Sequence, residues 1–245
     1  MTGDVSHGDV GADTTYGRDS IDPRSETVVV VLAAGSARRF GAVKQLAEVD
    51  GVPMITRVVG TALDAGASEV LVVLGAAADR VDETLRSDLP PAQRSKVRRV
   101  DNAHHHEGQA TSLVSGLEAA TSTGADVAII LLADQPDLTT AAVQIVAAAV
   151  NTERVAARAS YTDGVGHPVA FHRSVWPKIV AEVAGDAGAR DLLEELEVLD
   201  VAVGGRRPVD VDRQDDLGRV GSRAAVTGSR SRRAGPAGPH AEPTP

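Results

Sequence analysis

From Thr27 onward, short apolar runs alternate with stretches in which apolar residues recur every three or four positions. The first texture belongs to strands and the second to helices, so the alternation predicts a mainly parallel sheet covered by helices on both faces. Val28–Leu32 and Val127–Leu132 are continuous apolar runs, as a strand buried on both faces requires. The second is the most apolar segment of the chain and is expected at the centre of the sheet. Further strands are predicted at Glu69–Leu74, Val97–Val100, Val155–Ala159, Pro168–Phe171, Val198–Val203 and Val209–Val211, with a turn at Asp163-Gly164. Ile55, Val58, Val59, Ala62 and Leu63 share one helical face. Pro53 suits the first turn of that helix, and Gly66 suits the position just past its end. Other helices are predicted at Asp79–Arg86, around Leu113, Leu117 and Ala120 after a Thr111 or Ser112 cap, around Val143, Val146 and Val150 after Thr139 or Thr140, from Ser174, and over Ala189–Leu196.

The ends lack this patterning. Residues 1–26 carry six acidic and two basic side chains, and residues 221–245 hold four Gly, four Pro and four Arg. Neither stretch has enough to bury, so the reading is a disordered acidic tail (1–26), one domain (27–220) and a disordered Arg/Gly/Pro-rich tail (221–245). The formal charge of −9 argues against a nucleic-acid or anionic-membrane partner. The absence of Cys excludes disulfides, thiolate nucleophiles and zinc-thiolate sites, and suits a cytoplasmic protein. No apolar run approaches the roughly 20 residues of a membrane helix, and the start lacks the pattern of a secretory signal. With five aromatics in all, stacking platforms for single strands are not expected.

In an open sheet of this kind, ligands sit beyond the carboxyl ends of the strands. Three such places stand out. After the first strand, Ala33-Ala34-Gly35-Ser36-Ala37-Arg38-Arg39-Phe40-Gly41-Ala42-Val43-Lys44 combines small residues, which let backbone N–H groups approach an anion, with the cations Arg39 and Lys44. This suits a triphosphate, although a Gly/Ala turn with surface arginines reads the same way; it is neither a P-loop nor G-x-G-x-x-G. In Leu132-Ala133-Asp134-Gln135-Pro136 a carboxylate ends the most buried strand, where it either caps a turn or holds Mg2+ together with phosphate oxygens. In Val209-Asp210-Val211-Asp212 one acid is expected to reach the cleft and the other to face outward, with Asp212 also a candidate helix cap.

Together with Gly166-His167-Pro168 and Gly185-Asp186-x-Gly188-x-Arg190, these segments resemble the MobA-like nucleotidyltransferases, and within them the molybdenum cofactor cytidylyltransferase branch, over about residues 27–220. The resemblance implies a Rossmann-like fold of the nucleotide-diphospho-sugar transferase type and transfer of a nucleoside monophosphate, with pyrophosphate released. It implies Leu32, Ala33, Ala34, Gly35, Ser36, Gly75, Gly108 and Ser112 for nucleotide binding, and Arg39, Lys44 and Asp134 for catalysis. It implies Mg2+ on Asp134, Asp212 and Asp210, and His167, Asp186 and Arg190 on the acceptor side. The implied partners are CTP and a phosphorylated, pterin-type acceptor, with a molybdoenzyme downstream. The chain departs from the family at Ala37, where Ser is usual, and at Arg213-Gln214, where Thr-Pro is usual.

Blander readings stand beside these. His104-His105-His106 is expected to be a solvated loop rather than a metal site, because consecutive side chains diverge. His167 is as readily structural, and Asp186 and Arg190, four apart, are placed to pair with each other. Two other functional classes compete: an NAD(P)H-dependent oxidoreductase, against which the missing G-x-G-x-x-G counts, and a non-catalytic nucleotide- or cofactor-binding chaperone.

Overall fold

The computed structural model describes residues 26–35, 40–183 and 194–220. In chain order the strands are β1 (Thr27–Leu32), β2 (Glu48–Val49), β3 (Val52–Pro53), β4 (Glu69–Leu74), β5 (Val97–Asp101), β6 (Val127–Leu132), β7 (Ala156–Tyr161), β8 (Gly164–His172) and β9 (Leu199–Ala202). The α-helices are α1 (Met54–Asp64), α2 (Ala78–Asp88), α3 (Pro91–Arg94), α4 (Gln109–Ala120), α5 (Thr140–Ala148) and α6 (Trp176–Glu182). Seven strands form one sheet in the order β5-β4-β1-β6-β8-β7-β9, which puts β6 in the middle as its apolar run predicts. Only β8 runs against its neighbours: it pairs antiparallel with both β6 and β7. β2 and β3 form a separate hairpin, with Asp50 and Gly51 both at positive φ in its turn.

Alternation along the strands divides the core in two. Val29, Val31, Val70 and Val72 face α1, α2 and α5 through Ile55, Val59, Val81 and Val146. Val28, Val30, Leu71 and Ile130 face α4 and α6 through Leu117, Trp176 and Ile179. The α4 face is close: a Cβ at Gly116 would run into the Val30 side chain well inside van der Waals contact. Gly116→Ala is therefore expected to destabilise the fold. Helix propensity returns about 1 kcal/mol, but overpacking against the sheet costs up to about 3 kcal/mol. The net loss, about 1–2 kcal/mol, should appear as a lower denaturation midpoint at unchanged slope.

Two expectations are corrected. Val209–Val211 forms no strand: the Val209 N–H donates to Asp137 Oδ1 at 2.9 Å and the Val211 N–H to Asp134 O at 3.0 Å, so this segment is strapped to loops instead of a ladder. Its valines pack with Phe40, Val49, Met54 and Val220 in a small third core. Nor do Thr111 and Ser112 cap α4, which starts earlier, at Gln109 behind Gly108 with φ 130°. Thr139 does cap α5, accepting from the Ala142 N–H at 3.2 Å. Of the predicted Ala189–Leu196 helix, residues up to 193 lie outside the described residues, as do residues 1–25 and 221–245 of the tails. Among the described residues, no helix is long and apolar enough to cross a membrane.

Candidate active site

The carboxyl ends of β1, β4, β5 and β6 lie at one edge of the sheet, and the loops that follow β1, β5 and β6 enclose a cleft of about 470 Å3. Strand-like bonds continue into those loops: the Ala33 N–H donates to Val73 O, that of Ala133 to Leu32 O, and that of Asn102 to Leu74 O. The loop bases are thus held as firmly as the sheet. Leu32, Ala33, Ala34, Gly35, Lys44, Gly108, Ser112 and Asp134 line the cleft together with Asp212. Gly75 lies behind Ala34, and a Cβ there would come within 2.6 Å of Ala34 O and 2.7 Å of His105 Cγ. Only glycine lets the β4–α2 connection approach the first loop so closely. Ser36, Arg39, Asp186 and Arg190 lie outside the described residues.

At the cleft floor, Lys44 Nζ donates to Asp134 Oδ2 and to Asp212 Oδ1, each at 2.9 Å. Burial works against the ammonium charge, yet Asp134, and after it Asp212, hold the Lys44 pKa above its ordinary value, so the group is charged. The two carboxylates come from segments 78 residues apart, brought together because the 206–212 strap is bonded to the loop after β6. The other oxygen of Asp134, Oδ1, is buried and has no hydrogen-bond partner among the described residues. A buried carboxylate oxygen without a donor is costly unless a ligand or cation meets it. That oxygen, with the 62%-exposed Asp212 side chain beside it, makes a two-carboxylate set of the kind Mg2+ accepts while substrate oxygens and water fill its other positions. Among the described residues, no group of three His, Cys, Asp or Glu side chains converges to hold an ion without help from a substrate.

Asp210 stands apart from this cluster, accepting from Gln135 Nε2 at 2.8 Å. Asp212 does not cap the following helical segment (214–220); the capping oxygen is Asp216 Oδ2, which accepts the N–H groups of Asp212 and Arg213 at 3.1 and 2.9 Å. Three positions escaped the sequence reading. Gln45, buried, donates through Nε2 to Ala33 O at 2.7 Å and Gly35 O at 3.0 Å, fixing the first loop. Asn102, also buried, donates through Nδ2 to Thr111 Oγ1 and Ser112 Oγ and accepts the His104 N–H. His105 is turned inward onto the cleft, while the His104 and His106 side chains are 70% and 64% exposed, as a solvated loop requires.

A second cavity of about 780 Å3 adjoins the first across Leu132 and Asp212; Gly166, His167, Arg206, Arg207, Asp210 and Arg213 are among its walls. Burial pushes the His167 pKa down to about 4, against an opposing pull from Asp210. The imidazole is therefore neutral in the folded protein at pH 7 and protonates near 6.5 once unfolded. The unfolded state binds more protons in this window, so stability should fall as pH drops from 6.5 towards 4, by about 1 kcal/mol per unit after allowance for residual solvent contact. The carboxylates whose pKa the fold lowers, Glu107, Asp163 and Asp216, add their own losses only at lower pH. Denaturation midpoints measured at pH 7 and 5 should converge in His167→Gln.

The chain resembles known proteins over most of this framework. It is 32% identical to the nicotine blue oxidoreductase of Paenarthrobacter nicotinovorans over 173 residues, 68% of this chain and 80% of that protein. The manganese complex of Rv0371c from Mycobacterium tuberculosis H37Rv superimposes with a TM-score of 0.63 at 29% identity, covering 80% of this chain and 98% of that one. A nucleotidyl transferase of Methanothermobacter thermautotroptrophicus shares the fold, with a TM-score of 0.69 at 23% identity over 82% of this chain and 99% of that one. The MobA-like NTP transferase domain matches residues 29–201, from within β1 to within β9 and including every cleft residue named above except Asp212, and the chain belongs to that family.

Proposed function

We propose that the protein transfers a nucleoside monophosphate, CMP from CTP, to a phosphorylated acceptor of the molybdopterin type and releases pyrophosphate. The observation that carries this reading is the Lys44–Asp134–Asp212 cluster, with its orphaned carboxylate oxygen, at the mouth of a loop built to admit phosphates. An acceptor phosphate oxygen attacks the α-phosphorus, a new P–O bond forms, and the bond to the β-phosphate oxygen breaks with its electron pair leaving on pyrophosphate. The attacking oxygen is already anionic, so the barrier comes from repulsion between two polyanions and from charge on the leaving group; no strong base is needed. Asp134 and Asp212 would hold Mg2+, which supplies charge neutralisation across the phosphate oxygens. Lys44, joined by Arg39, meets the β- and γ-phosphates. Backbone groups of Leu32–Ala34, with Gly35, Ser36, Gly108 and Ser112, bind the nucleotide; Gly75 clears the space behind Ala34, and Asp210, held by Gln135, supports the loop beside Asp134 from outside the ion's ligands. The acceptor lies in the second cavity against His167, and Asp186 and Arg190 serve the acceptor as the family resemblance implies; a molybdoenzyme receiving the product fits this chemistry. The choice of CTP rests on the Ala-Ala-Gly and Asp-Gln-Pro forms of the two loops.

A second reading, an NAD(P)H-dependent oxidoreductase on the same scaffold, has one observation in its favour, the word oxidoreductase in the name of the Paenarthrobacter relative. A single comparison separates them. Full-length protein with CTP, Mg2+ and a phosphorylated pterin should release pyrophosphate and leave NADPH unoxidised. NADPH oxidation by an acceptor without pyrophosphate release would replace the transferase reading, and nucleotide-dependent stabilisation with neither reaction would leave a binding protein.

A further inference from the structure

A nucleoside triphosphate brings a flat, polarisable base as well as phosphates, and flat partners are scarce here. Among the described residues, no Phe, Tyr or Trp lines the cleft. Among the described residues, Phe40, Phe171 and Trp176 are built into the cores and Tyr161 donates to His167 O. The rings that do reach the cleft are the imidazoles of His105 and His106, which meet edge to face with centroids 5.9 Å apart and planes at 87°.

His105 is fixed without polar help. Its ring packs over Gly75, where a Cβ would come within 2.7 Å of its Cγ. The short 3-10 turn carrying it, His105–Glu107, is anchored at its start by buried Asn102, which accepts the His104 N–H and grips Thr111 and Ser112. Among the described residues neither ring nitrogen of His105 forms a hydrogen bond, and Nδ1 is buried. A histidine retained for the architecture would use at least one of those nitrogens. This one is held by shape, half-buried, and lines the same cleft as Gly35 and Lys44.

We infer that His105 is the nucleobase platform of the cleft: the base stacks on the imidazole while the phosphates reach Lys44. This rests on the nucleotide reading given above. Stacking of a base on a flat side chain discriminates nucleotides from phosphate alone, and it survives exchange of one flat ring for another.

The test measures binding of CTP and of inorganic tripolyphosphate, each with Mg2+, by calorimetry on the full chain and on His105→Ala and His105→Phe. Wild type should bind CTP more tightly than tripolyphosphate. His105→Ala should weaken CTP about tenfold and leave tripolyphosphate unchanged, and His105→Phe should hold CTP within about threefold of wild type, because the ring persists and both nitrogens are gone. Unchanged CTP affinity in His105→Ala, or equal losses for both ligands, overturns the platform while the nucleotide reading stands. If His105→Ala does not fold, a CTP affinity in His105→Phe as weak as that for tripolyphosphate overturns it. Failure of wild type to bind CTP at all overturns both.

Discussion

Asp134→Ala is expected to lower the rate of pyrophosphate release at least a thousandfold and to leave the protein folded. The rate term follows from position. Oδ2 is one of two carboxylate oxygens on Lys44, and Oδ1 is a buried acceptor that no group among the described residues satisfies. If Asp134 holds the ion as proposed, losing this side chain takes away one of its ligands, and electrostatic contributions of that kind are worth several kcal/mol. The stability term nearly cancels. The substitution gives up a partly exposed ion pair, but it also deletes a buried oxygen whose lack of a donor costs about 1–3 kcal/mol. Backbone support is untouched, since the Val211 N–H donates to the main-chain oxygen of Asp134. The denaturation midpoint should therefore move by no more than about 1 kcal/mol equivalent, and Mn2+ binding followed by electron paramagnetic resonance should weaken in parallel with turnover. Retained turnover would remove the carboxylate from the mechanism.

Much of this architecture is legible in the sequence because burial leaves a periodic trace. The runs at Val28–Leu32 and Val127–Leu132 became the two neighbouring strands at the middle of the sheet, and the face through Ile55, Val58, Val59 and Ala62 became the buried stripe of α1. Strand direction leaves no such trace. The antiparallel course of β8 comes from a tight hairpin with β7, and Pro168–Phe171 reads alike in either direction. The alternation Val209-Asp210-Val211-Asp212 imitates a strand, because a strap laid over a small core buries every second residue without a ladder. Within the site, Lys44, Asp134 and Asp212 could be singled out as charges at strand ends. That they share one ammonium could not, since it depends on a contact across 168 residues. His105 was hidden among like neighbours: the glycine-cleared space above residue 75, which buries part of its ring, sets it apart from His104 and His106 and leaves no trace in the local sequence.

Lys44→Met should separate two properties that a purely catalytic lysine would lose together. Turnover and CTP affinity are expected to fall by about a hundredfold, because the cation facing the phosphates is gone. Divalent-ion affinity in the absence of nucleotide should instead rise, by about tenfold. The ammonium lies 2.9 Å from one oxygen of each carboxylate, so an entering ion has to displace it before using both. Its pKa is raised, so a lower proton occupancy does not relieve that competition anywhere near neutral pH. In Lys44→Met the two acids face each other unneutralised, which lowers the thermal midpoint without metal and enlarges the gain on adding Mg2+ or Mn2+ by linkage. Thermal shifts and Mn2+ titrations with and without CTP give the readout. An ion affinity that stays level or drops in the variant would mean that lysine and metal occupy different places, and that Lys44 serves the carboxylates as a permanent counter-charge instead of yielding to the ion and turning to the phosphates.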